Sequence, residues 1–394
     1  MVTVTKHEQA QDTATNAIKA LLTEGQSVWQ DDISRAMLTG GDLQRAIEET
    51  GIRGVTSNPT IFEKAISSGH HYDDAVMKLL HAGKSAPEIF EAVEVEDIRH
   101  ACDLFRPLYD ETGGGDGFVS IEVSPGAARN AEGTRVEARR LWDSVARPNL
   151  MVKIPGTAEG AAVIEEMLAA GVNINITLLF AIESYEQVAL AYISALEQRQ
   201  GRGEPIDRIA SVASFFVSRV DTAVDKLLEE KIAATDDLAL QERLRGLLGK
   251  VAVANAKLAY AKFQELFDGP RFAPLRAAGA SPQRPLWAST GTKNPSYSDV
   301  LYVDELIGPD TVNTMPRPTI EAFLDHGTVR RTVDANVDEA RRIIADLADV
   351  GIDLEAVTKR LEDEGIASFT KSYDALIAGV ESKREALAQQ ATTT

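Results

Sequence analysis

Short apolar runs alternate with helical-period segments along the whole chain. Eight runs have the length and composition of strands: Ser27–Asp31 (SVWQD), Gly54–Asn58 (GVTSN), Phe118–Val123 (FVSIEV), Leu150–Ile154 (LMVKI), Val172–Leu178 (VNINITL), Ile209–Phe215 (IASVASF), Leu286–Thr290 (LWAST) and Thr311–Met315 (TVNTM). Between them apolar positions recur at a period near 3.6 in Asp42–Glu49, Ser85–Tyr109, Asn130–Val145, Gly160–Ala169, Ser184–Arg199, Val217–Glu230 and Glu321–His326, which predicts helices with one buried face. Strands alternating with helices predict an α/β fold with a parallel sheet. Eight such units predict a closed (β/α)8 TIM barrel before an open doubly wound sheet.

Two connections are long enough for extra helices. Tyr72–His81 and Ser85–Tyr109 lie between strands two and three, and Val217–Phe267 precedes the Gly/Pro-broken stretch Gly269–Pro285 before strand seven. Neither opens with a linker-like shift in composition, so residues 1–394 read as a single barrel domain. Residues 1–26 form an expected N-terminal helical extension. After strand eight come Asp334–Asp349 and an expected C-terminal helix over Ile366–Gln390, placed across the barrel mouth.

Composition narrows the function classes. Of 394 residues, 41 are Lys or Arg and 60 are Asp or Glu, a formal charge of −19. That balance argues against nucleic acid as a partner, but it still permits a local cationic pocket for a small phosphorylated substrate. Cys102 is the one cysteine, which excludes a disulfide framework and Cys-based metal sites. The N-terminal segment lacks the order of a signal peptide, and no apolar run reaches the ~18 residues of a membrane span. A cytoplasmic protein is expected. The six histidines show no HExxH spacing, GGGDG at Gly113–Gly117 leads into a strand, and GTK at Gly291–Lys293 lacks P-loop order. No metal and no cofactor are expected.

Several polar residues interrupt the apolar strands. Lys153 stands in NLMVKIPGT, and Pro155 ends that strand. Inside a closed barrel, which has no edge, desolvation favours the neutral amine that can attack a ketone. The alternative is a salt-bridged structural lysine. Glu122 sits within FVSIEV, and Asp31 and Asp32 end strand one. Period-2 alternation lets only one of that aspartate pair face inward. Each acid could serve in proton transfer or simply partner a cation.

Asn58, Asn173, Asn175, Thr177, Ser214, Ser289, Thr290 and Asn313 add polar groups toward the C-terminal ends of the strands, where barrel active sites are built. Arg219, Lys293 and Arg317 follow strands six, seven and eight. They are candidate phosphate anchors, with Arg219 favoured.

SVWQDDISR, GVTSNPTIF, FVSIEVSP, NLMVKIPGT, GVNINITLLF and SVASFFVSRVD, in that order, resemble transaldolases in their longer bacterial form over nearly the whole chain. The resemblance implies a class I aldolase barrel acting without a cofactor in the non-oxidative pentose phosphate pathway, in a family where homodimers are common. It implies Lys153 as the Schiff-base lysine, Asp31 (or Asp32) as the acid–base aspartate, Glu122 as a proton shuttle through water and Thr177 as the residue positioning that water. Asn58, Asn175 and Ser214 would hold the dihydroxyacetone unit, Phe216 would wall the pocket, and Arg219 would bind phosphate, joined by Ser289 and Lys293. Shorter relatives carry a further arginine where this chain reads STGTKNP, and lysine lacks its bidentate geometry. Other readings are an aldolase that releases free dihydroxyacetone and a sugar-phosphate-binding barrel without turnover.

Overall fold

The last of eight strands pairs back onto the first, so the sheet has no free edge. The strands are β1 (Gln26–Gln30), β2 (Gly54–Val55), β3 (Phe118–Glu122), β4 (Leu150–Pro155), β5 (Ile174–Leu179), β6 (Ser211–Phe216), β7 (Arg284–Ala288) and β8 (Thr311–Met315), all parallel in a closed barrel. This computed structural model describes residues 16–67 and 69–393. Most of the expected N-terminal extension lies outside the described residues. Its described part is the helix Ala17–Leu21 and a short 3-10 turn, and β1 already begins at Gln26.

The strand sequences dictate what fills the barrel. Alternate residues point inward, and the inner column begins with Trp29, Phe118, Met151, Val212, Leu286 and Val312. These form a cluster of their own, separate from the larger core between strands and helices. Gly54 makes room for that filling: a Cβ there would lie 2.7 Å from the Trp29 indole. One layer higher the inner column turns polar, with Asp31, Thr56, Glu122, Lys153, Thr177, Ser214 and Thr314. The apolar half closes the bottom, and the polar half opens upward.

A charged network seals the bottom. Asp116 accepts from Trp29 Nε1 at 3.1 Å, Arg53 Nε at 2.7 Å, Arg284 at 3.3 Å and the Ser27 hydroxyl at 2.5 Å. Asp116 is 4% exposed, so removing its charge strands two cations in a poorly solvated floor. Asp116→Asn is expected to lower unfolding stability by about 3 kcal/mol while leaving the catalytic constants of the folded protein unchanged. Urea unfolding alongside steady-state kinetics checks both halves of that statement.

Three departures from the sequence reading position the site. β2 covers only its first two expected residues, and beyond it the hydroxyls of Thr56 and Ser57 donate to Asp31 and to the Ser120 carbonyl. The chain then enters an unexpected helix, Pro59–Ser67, so the β2–β3 connection holds three helices rather than two. Asn58 caps it, accepting from Ile61 N at 3.1 Å with proline at the first helical position. The C-terminal helix runs over Leu354–Thr393, starting three turns earlier than expected. Gly365 lies inside this helix, where glycine costs ~1 kcal/mol. Here it lets the helix approach β5, where a Cβ would lie 3.0 Å from Leu178 Cδ2.

Candidate active site

Lys153 lies in β4 between Val152 and Ile154, which are fully buried. Its own position in the alternation turns it into the barrel. It pairs in register with Glu122 of β3 on one side and Asn175 of β5 on the other. Nζ is 3.2 Å from Glu122 Oε2 and donates to the Ser57 carbonyl at 3.0 Å. The lysine is 7% exposed, so almost all of its contact with solvent passes through one cavity.

That cavity, about 400 Å³, occupies the C-terminal mouth of the barrel. Of the residues singled out from the sequence, Lys153, Asp31, Glu122, Thr177, Asn58, Ser214, Phe216, Arg219, Ser289 and Lys293 line it. Asn175 does not. It sits one layer below, donating to Ser120 Oγ at 3.0 Å and accepting from Ser214 Oγ at 2.7 Å, and so steadies a residue that does line the cavity.

The aspartate pair resolves by geometry. Asp31 lines the cavity and accepts from Thr56 Oγ1 at 2.7 Å, and Thr56 in turn meets Thr314 Oγ1 at 2.7 Å. Asp32 does not line the cavity, and burial raises its pKa, with Asp31 adding to the rise and Arg317 opposing it. Arg317 does not line the cavity. It pairs with Glu321 at 3.2 Å on the exposed face of its helix. Asn173, Thr290 and Asn313 are structural as well. Asn173 bonds the Pro148, Leu150 and Ala210 backbone below the site, and Thr290 donates to Asn313 at 2.9 Å.

Glu122 is a carboxyl shifted toward its neutral form. Burial raises its pKa, the Lys153 ammonium opposes that shift, and Asp31 adds to it. A group poised this way can both accept and return a proton. The cationic end of the mouth carries Arg219, whose guanidinium lies 5.2 Å from the Phe216 ring centroid, and Lys293. Two non-glycine residues lining the cavity hold left-handed backbone, Leu178 at φ +60° and Ser289 at φ +56°. Such strain costs about 1–3 kcal/mol each and gathers where geometry serves function.

The C-terminal helix crosses the mouth as expected, but sequence reasoning missed Thr56, Lys64 and the residues by which that helix walls the cavity, Gly365, Ser368, Phe369 and Ser372. Ser372 Oγ accepts from Thr60 at 2.8 Å, joining that helix to Pro59–Ser67. The signal was present as small residues at i, i+3 and i+7 of one helix face. Among the described residues no three His, Cys, Asp or Glu side chains converge as a metal site would require.

Glu94, on helix Ala86–Glu111, lies behind the site. Burial pushes its carboxyl well above the ordinary glutamate range, and the neighbouring charges, Glu122 foremost, are all acidic and push it further. A folded-state pKa above the unfolded one adds stability that is complete below the unfolded pKa. That stability is lost as pH rises through the folded pKa, at up to ~1.4 kcal/mol per pH unit between the two. Glu94→Gln is expected to flatten the fall of Tm on the alkaline side. Thermal melts of both proteins from pH 5 to 9 test this, and parallel curves would refute it.

Residues 28–380 match the profile of the family described as Transaldolase/Fructose-6-phosphate aldolase. The chain is 47% identical over 371 residues to a transaldolase of Trichodesmium erythraeum, covering 94% of this chain and 98% of that one. It is 48% identical over 361 residues to a transaldolase of Thermobifida fusca, covering 91% and 96%. A transaldolase of Thiobacillus denitrificans is 46% identical over 365 residues, covering 93% and 99%.

Proposed function

Since the chain belongs to the transaldolase/fructose-6-phosphate aldolase family, whose enzymes transfer a three-carbon unit, we propose that Lys153 carries that unit as a Schiff base between two sugar phosphates. The observation that carries this reading is a buried amine 3.2 Å from the buried carboxyl of Glu122, at the foot of a cavity ending in Arg219 and Lys293.

The donor is sedoheptulose 7-phosphate or fructose 6-phosphate. Lys153 passes a proton to Glu122, and the free amine attacks the C2 ketone. Glu122 returns the proton so that the C2 hydroxyl leaves as water and a protonated imine forms. Thr177, which also lines the cavity, orients the water involved. Asp31, held by Thr56, takes the C4 hydroxyl proton as the C3–C4 bond breaks and its electron pair moves into the imine. The aldose phosphate departs, leaving an enamine on Lys153. The enamine attacks glyceraldehyde 3-phosphate or erythrose 4-phosphate, Asp31 returns its proton, and hydrolysis of the new imine frees the lysine.

Asn58 and Ser214 hold the hydroxyls of the three-carbon unit, supported by Asn175 from below. Phe216 walls the pocket, and Arg219, Lys293 and Ser289 receive the phosphate. Support for a cytoplasmic setting is a single buried cysteine and, among the described residues, no helix long and apolar enough to cross a membrane.

Borohydride reduction in the presence of fructose 6-phosphate, followed by peptide mass mapping, tests the reading. The expected adduct is on Lys153, and a label on any other residue contradicts it.

The C-terminal helix keeps water from the enamine, which makes transfer outrun hydrolysis. Phe369 is the largest side chain this helix places in the cavity wall. Phe369→Ala is expected to raise the ratio of released dihydroxyacetone to transferred product several-fold. Product analysis without and with an acceptor aldehyde measures this, and an unchanged ratio removes the helix from this role.

A further inference from the structure

The two cations at the phosphate end sit on segments that the barrel strands do not hold directly. Arg219 opens helix Ser218–Ala233, and Lys293 stands in the irregular stretch 289–300 that follows β7. Two carboxylates fasten the Arg219 helix to that stretch and to the short helix Leu301–Asp304 that directly continues it. Asp221 and Asp225 lie one turn apart on the buried face of the Arg219 helix, 1% and 7% exposed. Asp221 accepts from Tyr302 Oη at 2.9 Å and from Ala252 N at 2.7 Å. Asp225 accepts from Tyr297 Oη at 2.7 Å and from Gly249 N at 3.0 Å.

The fit around Tyr297 leaves no slack. Gly249 has φ +68°, and a Cβ there would lie 2.7 Å from Tyr297 Cζ. Nearer the mouth the same two segments meet again, with Ser218 N donating to the Ser289 carbonyl at 3.0 Å and the two hydroxyls 2.9 Å apart. Apolar packing would join a helix to a loop at lower desolvation cost than buried carboxylates. Directional hydrogen bonds add a fixed register, and register is what two cations need to grip one phosphate.

We propose that Tyr302 and Tyr297, acting through Asp221 and Asp225, are positioning residues for the phosphate end of the substrate. They hold the Lys293 segment against the Arg219 helix at the spacing where both cations contact one phosphate dianion. The inference rests on reading Arg219 and Lys293 as phosphate ligands, and the experiment separates the two.

Tyr297→Phe, Tyr302→Phe, the double variant and Arg219→Ala are assayed with fructose 6-phosphate and with fructose as donors. Unphosphorylated glyceraldehyde serves as acceptor throughout, so only the donor phosphate changes. Losing both buried hydrogen bonds in the double variant is expected to raise KM for fructose 6-phosphate about tenfold with kcat within about twofold. Each single variant gives about threefold, and kcat/KM for fructose stays unchanged. Arg219→Ala erases the preference for the phosphorylated donor. If it does not, the phosphate reading itself fails. If Arg219→Ala erases the preference while the tyrosine variants, folded by thermal melt, keep it, the positioning inference is overturned and the phosphate reading stands. An equal loss of kcat/KM for both donors also overturns it, because a purely structural role predicts that pattern.

Discussion

Replacing Lys153 by alanine is expected to abolish transfer, with kcat falling about 10⁴-fold or more because no other group supplies the covalent route. Among the described residues of the cavity Lys64 and Lys293 are the other lysines, and neither has a carboxyl at the distance Glu122 keeps from Lys153. Borohydride trapping should vanish in the same variant. The protein is expected to fold, since removing the ammonium leaves Glu122 free to bury its neutral form, toward which its surroundings already push it. Circular dichroism and a coupled transfer assay, run on one preparation, decide the matter. Residual activity within tenfold of wild type would place the nucleophile elsewhere.

Glu122→Gln is the second large effect. Glutamine keeps the shape and loses the proton, so transfer is expected to fall by about 10²–10⁴-fold, the usual range for a positioned acid–base group. The loss belongs to imine formation and hydrolysis rather than to carbon–carbon cleavage, so the rate of borohydride trapping should fall with kcat. The pH profile gives a sharper readout. Burial raises the Glu122 pKa, so the rise of wild-type activity with pH lies above the ordinary glutamate range, and that limb should disappear in the variant. A limb that persisted unchanged would assign it to another group, with Asp31 the first to examine.

Most of the barrel was legible in the sequence because its signals are local. A strand buried on both faces reads as a continuous apolar run, and β4 and β6 do so except at the residues that matter. Lys153 and Glu122 stood out because a charge inside such a run needs a reason to be there. Errors fell where one residue type supports two structures. The C-terminal helix was expected to begin at Ile366, but it runs through Gly365, a point of close approach to Leu178. Asn58 and Pro59 looked like the end of a strand, and they are also the start of a helix. Arg317 shares its sequence setting, just past a strand, with Arg219. In the structure Arg219 lines the cavity, whereas Arg317 pairs with Glu321 one turn along its own helix.

What the linear chain determined by itself is the alternation: which strand residues face inward, and hence that Lys153, Glu122, Thr177 and Ser214 share one interior. That follows from the two-residue period of a strand, which needs no partner to be read. Tertiary structure alone decided the rest. It turned Asp31 rather than Asp32 to the cavity, set Asn175 beneath its floor, brought Ser368, Phe369 and Ser372 across the mouth and tied the Lys293 loop to the Arg219 helix through Tyr297 and Tyr302. These contacts join residues tens to hundreds of positions apart, and their geometry exists only once the ring of strands has closed.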